Sequence, residues 1–197
     1  MENSMPVANP EAFAFLATRR SHPAKFFVPG GAVPDRAALE PILTAALRVP
    51  DHGKMEPWRV IVVQGDAMKR LGDLAEARAR ALGGDAQMAA KGRAIYDTSR
   101  LAVVVISAPK PFGKPEVEQR ASAYALCMNV VNAAEASGWG ASWLTGWPAH
   151  DAVWAAEAFG CSGTELVAGI VHIGTVGSEM PDRPRPDLGK IVSWVEA

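Results

Sequence analysis

The sequence predicts a domain in which helices and strands are mixed, of α/β or α+β class, and three observations carry that expectation. Leu101–Ser107 reads LAVVVIS, apolar at every position, as a strand covered on both faces does. Residues 58–63 and 165–173 are two further apolar runs of strand length, each bounded by turn residues. Around them lie segments with apolar residues at helical spacing, the longest over residues 116–137. The chain has 197 residues, 49% apolar and 21% charged, which fits one domain or at most two small ones. At that size the core needs no disulfide or metal to hold it.

Taken in order, a loose tail precedes a helix at Pro10–Thr18, where Phe13, Leu16 and Ala17 share a face. Residues 22–33 form a loop punctuated by Pro23, Pro29 and Gly30-Gly31. Asp35 caps a second helix with the stripe Leu39, Ile42, Leu43, Ala46 and Leu47. Pro41 lacks an N–H and is expected to kink that helix or delay its start. A polar loop at 51–57 leads to a buried strand at 58–63. Two helices, 67–82 and 86–96, are broken at Gly83-Gly84. In the long helix, Ala121, Tyr124, Ala125, Met128 and Val131 are expected to face the core. A short strand at 141–145 follows, then a helix from the Asp151 cap to Phe159 with Gly160 as its stop, and the last strand. The tail ends in Ile191, Val192, Trp194 and Val195, apolar residues with nothing local left to cover them.

Lys and Arg number 20 and Asp and Glu 21, a formal charge of −1, so no broad basic field attracts nucleic acid. The two cysteines, Cys127 and Cys161, have no metal-ligand spacing and fit a reducing compartment. No apolar run approaches a membrane span, and the first residues lack the pattern of a secretory signal. The expectation is a cytoplasmic domain that handles a small molecule.

Four clusters could carry chemistry. Arg19-Arg20-Ser21 offers two guanidinium forks and a hydroxyl, the donors a phosphate needs, although basic residues also suit a helix C-terminus. The segment 48–58, RVPDHGKMEPW, crowds Arg48, His52 and Lys54 between two prolines at the mouth of a strand; it is either a pocket wall or a solvent loop. Residues 138–147, GWGASWLTGW, combine closely spaced glycines, which let a flat ligand approach the backbone, with tryptophans that supply apolar walls or fill the core. Arg183 and Arg185 alternate with prolines in the tail. No G-x-S-x-G, H-E-x-x-H or P-loop is present, no paired carboxylates stand out, and His52 has no nucleophile beside it. Cationic clusters without catalytic machinery suggest that a cofactor supplies the reactivity.

In this order, the clusters resemble the nitroreductase family of flavoproteins, most closely its short members. The resemblance rests on Arg-Arg-Ser after the first helix, the aromatic Phe26, and Pro-Asp-His-x-x-Met-x-Pro-Trp opening the first strand. Gly-x-Gly-x-x-Trp-x-x-Gly and the final Gly174-Thr175 complete it, over roughly residues 12–185. It implies one α+β domain over 1–197 with tails at 1–9 and 186–197, helices around a mixed central sheet, and a homodimer with the C-terminal segment exchanged onto the partner. It also implies FMN at the dimer interface, with each subunit contributing to both sites. Arg19, Arg20 and Ser21 then match the positions at the FMN phosphate and flavin edge. Arg48 and His52 face the cofactor, Trp143, Leu144, Thr145 and Gly146 lie over the ring, and Arg183 and Arg185 close on the phosphate. Thr145 stands where many members carry an acidic residue.

The activity so implied is NADH- or NADPH-dependent reduction of a nitroaromatic, a quinone or another electron-poor acceptor in two half-reactions, with no side chain acting as acid or base. A flavin-binding or redox-sensing module without turnover, and a dehydrogenase or dehalogenase on the same fold, are the alternatives. Membrane and nucleic-acid partners are not expected.

Overall fold

The computed structural model describes residues 5–196. The loose tail expected at the N-terminus falls partly on residues 1–4, outside the described ones. Helix α1 spans Pro10–Thr18 and α2 Arg36–Ala46, and strand β1 spans Trp58–Gln64. Next come α3 at Asp66–Ala81, α4 at Ala86–Asp97 and β2 at Leu101–Ser107. The chain continues with α5 at Glu116–Ala136, β3 at Gly140–Leu144 and α6 at Gly146–Ala149. It closes with α7 at Ala152–Phe159, β4 at Leu166–Gly174 and α8 at Leu188–Ile191. The caps work as their residue types dictate. Asp35 accepts from the Ala38 N–H, Asp151 accepts from the Trp154 N–H, and Gly160 ends α7 at φ 66°. The α2 helix starts directly after its cap with Pro41 inside it, so the proline does not delay the start.

The four strands lie in the order β1-β2-β4-β3, and every pairing among the described residues is antiparallel. The mixed sheet that the resemblance implied is therefore not what one chain forms. The connections explain it. The helical pair α3 and α4 brings the chain back to the end of β1 that it left, so β2 runs antiparallel to β1. A single long helix, α5, separates β2 from β3 and makes those two parallel, but β4 lies between them and no parallel pair bonds.

Alternate residues of β2 point to opposite faces. Leu101, Val103 and Val105 join Leu39 and Ile42 of α2 and Leu126, Cys127 and Val130 of α5. Ala102, Val104 and Ile106 join Leu71 of α3, Tyr96 of α4 and Trp154 of α7. The result is helix, sheet and helix in three layers, with β2 fully buried as its composition predicts. Strand β1 instead forms an edge: only Val63 is buried, and Val62 is 41% exposed. Arg59 on this strand reaches out to clasp Glu165 through two bonds of 2.8 and 3.0 Å.

Two helix faces also depart from expectation. The buried face of α5 carries Ser122, Ala123, Leu126, Cys127, Val130 and Ala134, whereas Ala121 and Tyr124 are exposed and Ala125 and Met128 half-buried; of the expected face only Val131 is buried. Its apolar residues are spread around the helix with polar ones between them, so periodicity does not choose a face. Helix α1 buries no residue against the described part of its own chain, and Phe13 stands 76% exposed.

His172 of β4 sits opposite Ala102 and Ser142 and is fully buried, its ring 6.5 Å from that of Tyr96. Burial pushes its pKa down to about 4. The unfolded chain takes up this proton near pH 6.5 and the folded chain does not. Stability from this site is therefore complete above about pH 6.5 and is lost as pH falls toward 4. Between about pH 7 and pH 5 the loss amounts to roughly 2 kcal/mol. Denaturant titrations at the two pH values are expected to show that slope in the wild type and not in His172→Leu. Parallel curves for the two proteins would refute it.

Candidate functional site

The Arg19-Arg20-Ser21 corner hangs between α1 and the start of β3, where the His22 N–H donates to the Ala141 carbonyl at 2.8 Å. Glu135, near the C-terminal end of α5 and 5% exposed, takes two donors: Arg19 Nε at 2.9 Å and His22 Nδ1 at 3.0 Å. A second guanidinium nitrogen of Arg19 donates to Ser21 Oγ at 3.2 Å. Arg19 is therefore largely committed to its own protein. Arg20 differs, because its Nε and Nη1 are buried and meet no acceptor among the described residues. A hollow of about 560 Å³ joins Arg19, Arg20 and Ser21 to Arg183 and Arg185 of the tail. Four cations and one hydroxyl thus converge, and Asp182 is the acidic group on the same wall. Buried N–H groups of a permanent cation are costly unless an acceptor meets them, and an anion with several oxygens meets them best.

The 51–57 loop is held from within and from α5. The Asp51 carboxylate accepts from the N–H groups of Met55 and Glu56 at 3.0 and 2.8 Å. Lys54 and Glu56 take left-handed backbone conformations, φ 53° and 47°, rare for residues with side chains. Ser122 Oγ donates to the Pro50 carbonyl at 2.6 Å, and Glu118 holds His52 Nδ1 at 2.6 Å. Arg48 lies exposed beside a broader hollow of about 930 Å³ along α2 and β1. Its backbone carbonyl accepts from Asn129 of α5.

At the far end of β3 the tryptophans are structural. Trp143 Nε1 donates to the Ala168 carbonyl at 3.2 Å, and its ring stacks on Tyr124. A Cβ on Gly169 would lie 2.1 Å from that nitrogen, so the indole fills the space this glycine leaves. Trp147 packs in the same way over Gly92. Trp143 and Trp147 are thus half-buried and each is anchored by its own chain. What Trp143 offers a ligand is backbone. The Ala141 carbonyl points away from β4 to His22, and strand alternation turns the N–H and C=O of Trp143 the same way, onto the open edge. Gly146 follows at φ 67°, where a Cβ would strike Ile95 at 2.2 Å. Thr145 Oγ1 meets His150 Nε2 at 3.0 Å. Burial pushes the Cys127 thiol up to about 12, so it is no nucleophile.

Distance divides these groups. Glu135 marks the arginine corner and Glu118 marks His52, at opposite ends of α5, about 25 Å apart along the helix axis. The β3 edge runs from the arginine corner to Thr145 over roughly 13 Å at the rise of a strand. The corner is therefore continuous with the β3 edge, and His52 of the same chain stands away from the corner, toward the end of α5 where Tyr124 stacks on Trp143. Glu135, Glu118 and Asn129 are structural partners that sequence spacing does not reveal, since each contact joins residues more than 60 positions apart.

The α+β fold is shared with solved structures. A nitroreductase-like family protein from Bacillus cereus superposes with a TM-score of 0.77 at 21% identity, covering 98% of this chain and all of that one. NfnB of Sphigopyxis sp. strain HMH, an FMN and NADPH-dependent nitroreductase, gives 0.71 at 19% identity over 94% of this chain and 99% of its own. The family model for the nitroreductase family matches residues 16–175, and the chain belongs to that family of oxidoreductases. Its relatives include Escherichia coli YdjA, provisionally named an NAD(P)H nitroreductase, 33% identical over 72% of this chain and 78% of that protein. A Haemophilus influenzae protein with the same provisional name is 34% identical over 88% of this chain and 92% of its own.

Proposed function

We propose that the protein is a cytoplasmic, FMN-dependent NAD(P)H oxidoreductase that works as a homodimer and reduces nitroaromatics, quinones or similar electron-poor acceptors in two half-reactions. The observation that carries this reading is the Arg20 guanidinium, buried without an acceptor in a hollow shared with Arg19, Ser21, Arg183 and Arg185. The FMN phosphate supplies the missing oxygens. Bound FMN supplies the redox chemistry, taking a hydride from NADH or NADPH and giving reducing equivalents to the acceptor.

The chain's part is binding and orientation. Glu135 stiffens Arg19 against the phosphate, and the open edge of β3 presents the Trp143 backbone and the Leu144-Thr145-Gly146 turn to the ring. The jammed Gly146 keeps side chains out of that turn. Arg48 and His52 come to the flavin across the dimer interface, a reading that rests on the family membership; in one chain about 25 Å of helix separates His52 from the arginine corner, whereas Arg48 is tied to Asn129, nearer that corner. The family membership and the names of the relatives support the same reading.

The purified protein is expected to be yellow, with about one FMN per subunit, and to oxidise NADH or NADPH with a quinone acceptor along parallel double-reciprocal lines. A colourless protein that stays so after incubation with FMN and desalting would refute the cofactor. A yellow protein without turnover would establish a binding module instead.

A further inference from the structure

At the N-terminal end of α5, one contact outside the fold's core bears on His52. His52 Nδ1 lies 2.6 Å from Glu118 Oε2, and both side chains are about half exposed in one chain. The loop around His52 is held on every side. Asp51 is already committed to two backbone N–H groups, and Ser122 fixes the Pro50 carbonyl. Gln119, 3% exposed, ties the facing 110–114 segment through three bonds to Lys110 and Lys114. The Lys114 side chain of that segment lies against Gly53. Of the nearby carboxylates, Glu118 is the one on the imidazole, while Glu56 is exposed within the loop itself.

We infer that Glu118 is a positioning residue: its carboxylate holds the Nδ1–H tautomer of His52 and so turns the Nε2 lone pair outward as an acceptor for a ligand N–H or O–H. Neutral imidazole has one donor and one acceptor, and whichever nitrogen bonds a carboxylate must be the donor. That leaves Nε2, on the far side of the ring, to accept. FMN offers donors of both kinds, the N–H of its ring and the hydroxyls of its ribityl chain. This assignment of the ligand rests on the function proposed above; the tautomer does not.

Two variants and two readouts test it. Nitrogen NMR of the imidazole at alkaline pH, on flavin-free protein, is expected to show the Nδ1–H form of His52 in the wild type and in Glu118→Gln, which keeps an acceptor. Glu118→Ala is expected to revert to a mixture dominated by Nε2–H, as in a free histidine side chain. In FMN titrations followed by flavin fluorescence, Glu118→Ala is expected to lose about three- to tenfold in affinity, the worth of one hydrogen bond. Glu118→Gln should stay within about twofold, and His52→Ala combined with Glu118→Ala should lose little more than His52→Ala alone. An unchanged tautomer in Glu118→Ala would overturn the inference, and so would a changed tautomer with unchanged FMN affinity. If wild-type protein fails to bind FMN at all, the proposed function fails, and the NMR result still decides whether Glu118 sets the tautomer.

Discussion

Arg20→Ala is expected to weaken FMN binding at least about a hundredfold while leaving riboflavin binding within a few-fold of wild type. Arg20 has two buried N–H-bearing nitrogens without an acceptor among the described residues, whereas Arg19 already spends its Nε on Glu135 and another nitrogen on Ser21. A hydrogen bond to a charged group contributes about 1.5–3 kcal/mol, so two lost together cost at least about 3 kcal/mol. Each 1.4 kcal/mol is a factor of ten. Arg19→Ala is expected to lose about tenfold, because one bond to the phosphate and the brace on Ser21 go with it. Arg20→Lys keeps the charge but not the fork, and should fall between wild type and Arg20→Ala. Riboflavin lacks the phosphate, so equal losses for both ligands would show that Arg20 acts on the fold rather than on the anion. Circular dichroism of the variants separates the two outcomes.

The order of elements was legible in the sequence because its punctuation is strong. Asp35, Asp151, Gly160 and the Gly83-Gly84 break stand where helices begin and end, and LAVVVIS could only be a covered strand. The site was legible as residue types: five of its expected members, Arg19, Arg20, Ser21, Arg183 and Arg185, do line one hollow. Faces and partners were not legible. Helix α5 spreads its apolar residues around its circumference with polar ones between them, so its Tyr124 and Ala121 look like core residues until the sheet is seen to cover Ala123, Leu126 and Val130 instead. Trp143 looks like a pocket wall until Gly169, far along the chain, is seen to receive it. The direction of β2 against β4 depends on how many helices intervene and which strand inserts, and no local pattern records that. Glu118 and Glu135 carry no signature, since a glutamate on a long helix is ordinarily solvated.

Deleting the residues after Lys190 is expected to convert a dimer into a monomer at about 10 μM protein and to abolish stable FMN binding with it. In one chain Ile191 is 64% exposed, Trp194 86% and Val195 95%, an extended apolar end with no cover. Phe13 and Leu16 of α1 and Val62 on the open edge of β1 are exposed too, so the same chain offers surfaces that such an end can cover in a second copy. Burying a Val, Leu or Ile side chain contributes about 1.5–3 kcal/mol, and a Trp at least as much. Two exchanged tails are thus worth on the order of 10 kcal/mol before ordering costs, enough to decide between monomer and dimer. If the flavin site is shared between subunits as proposed, the flavin should follow the dimer, since His52 stands about 25 Å along α5 from the arginine corner of its own chain. Sedimentation and FMN titration of the truncated protein measure both effects. Trp194→Asp with Ile191→Asp repeats the test without shortening the chain, and should give the same monomer with its far-UV spectrum intact. A truncated protein that stays dimeric with unchanged FMN affinity would show that the tail has no such role. A monomer that still binds FMN at full strength would show instead that one chain completes the site alone, and that His52 serves a ligand other than the flavin held at Arg20.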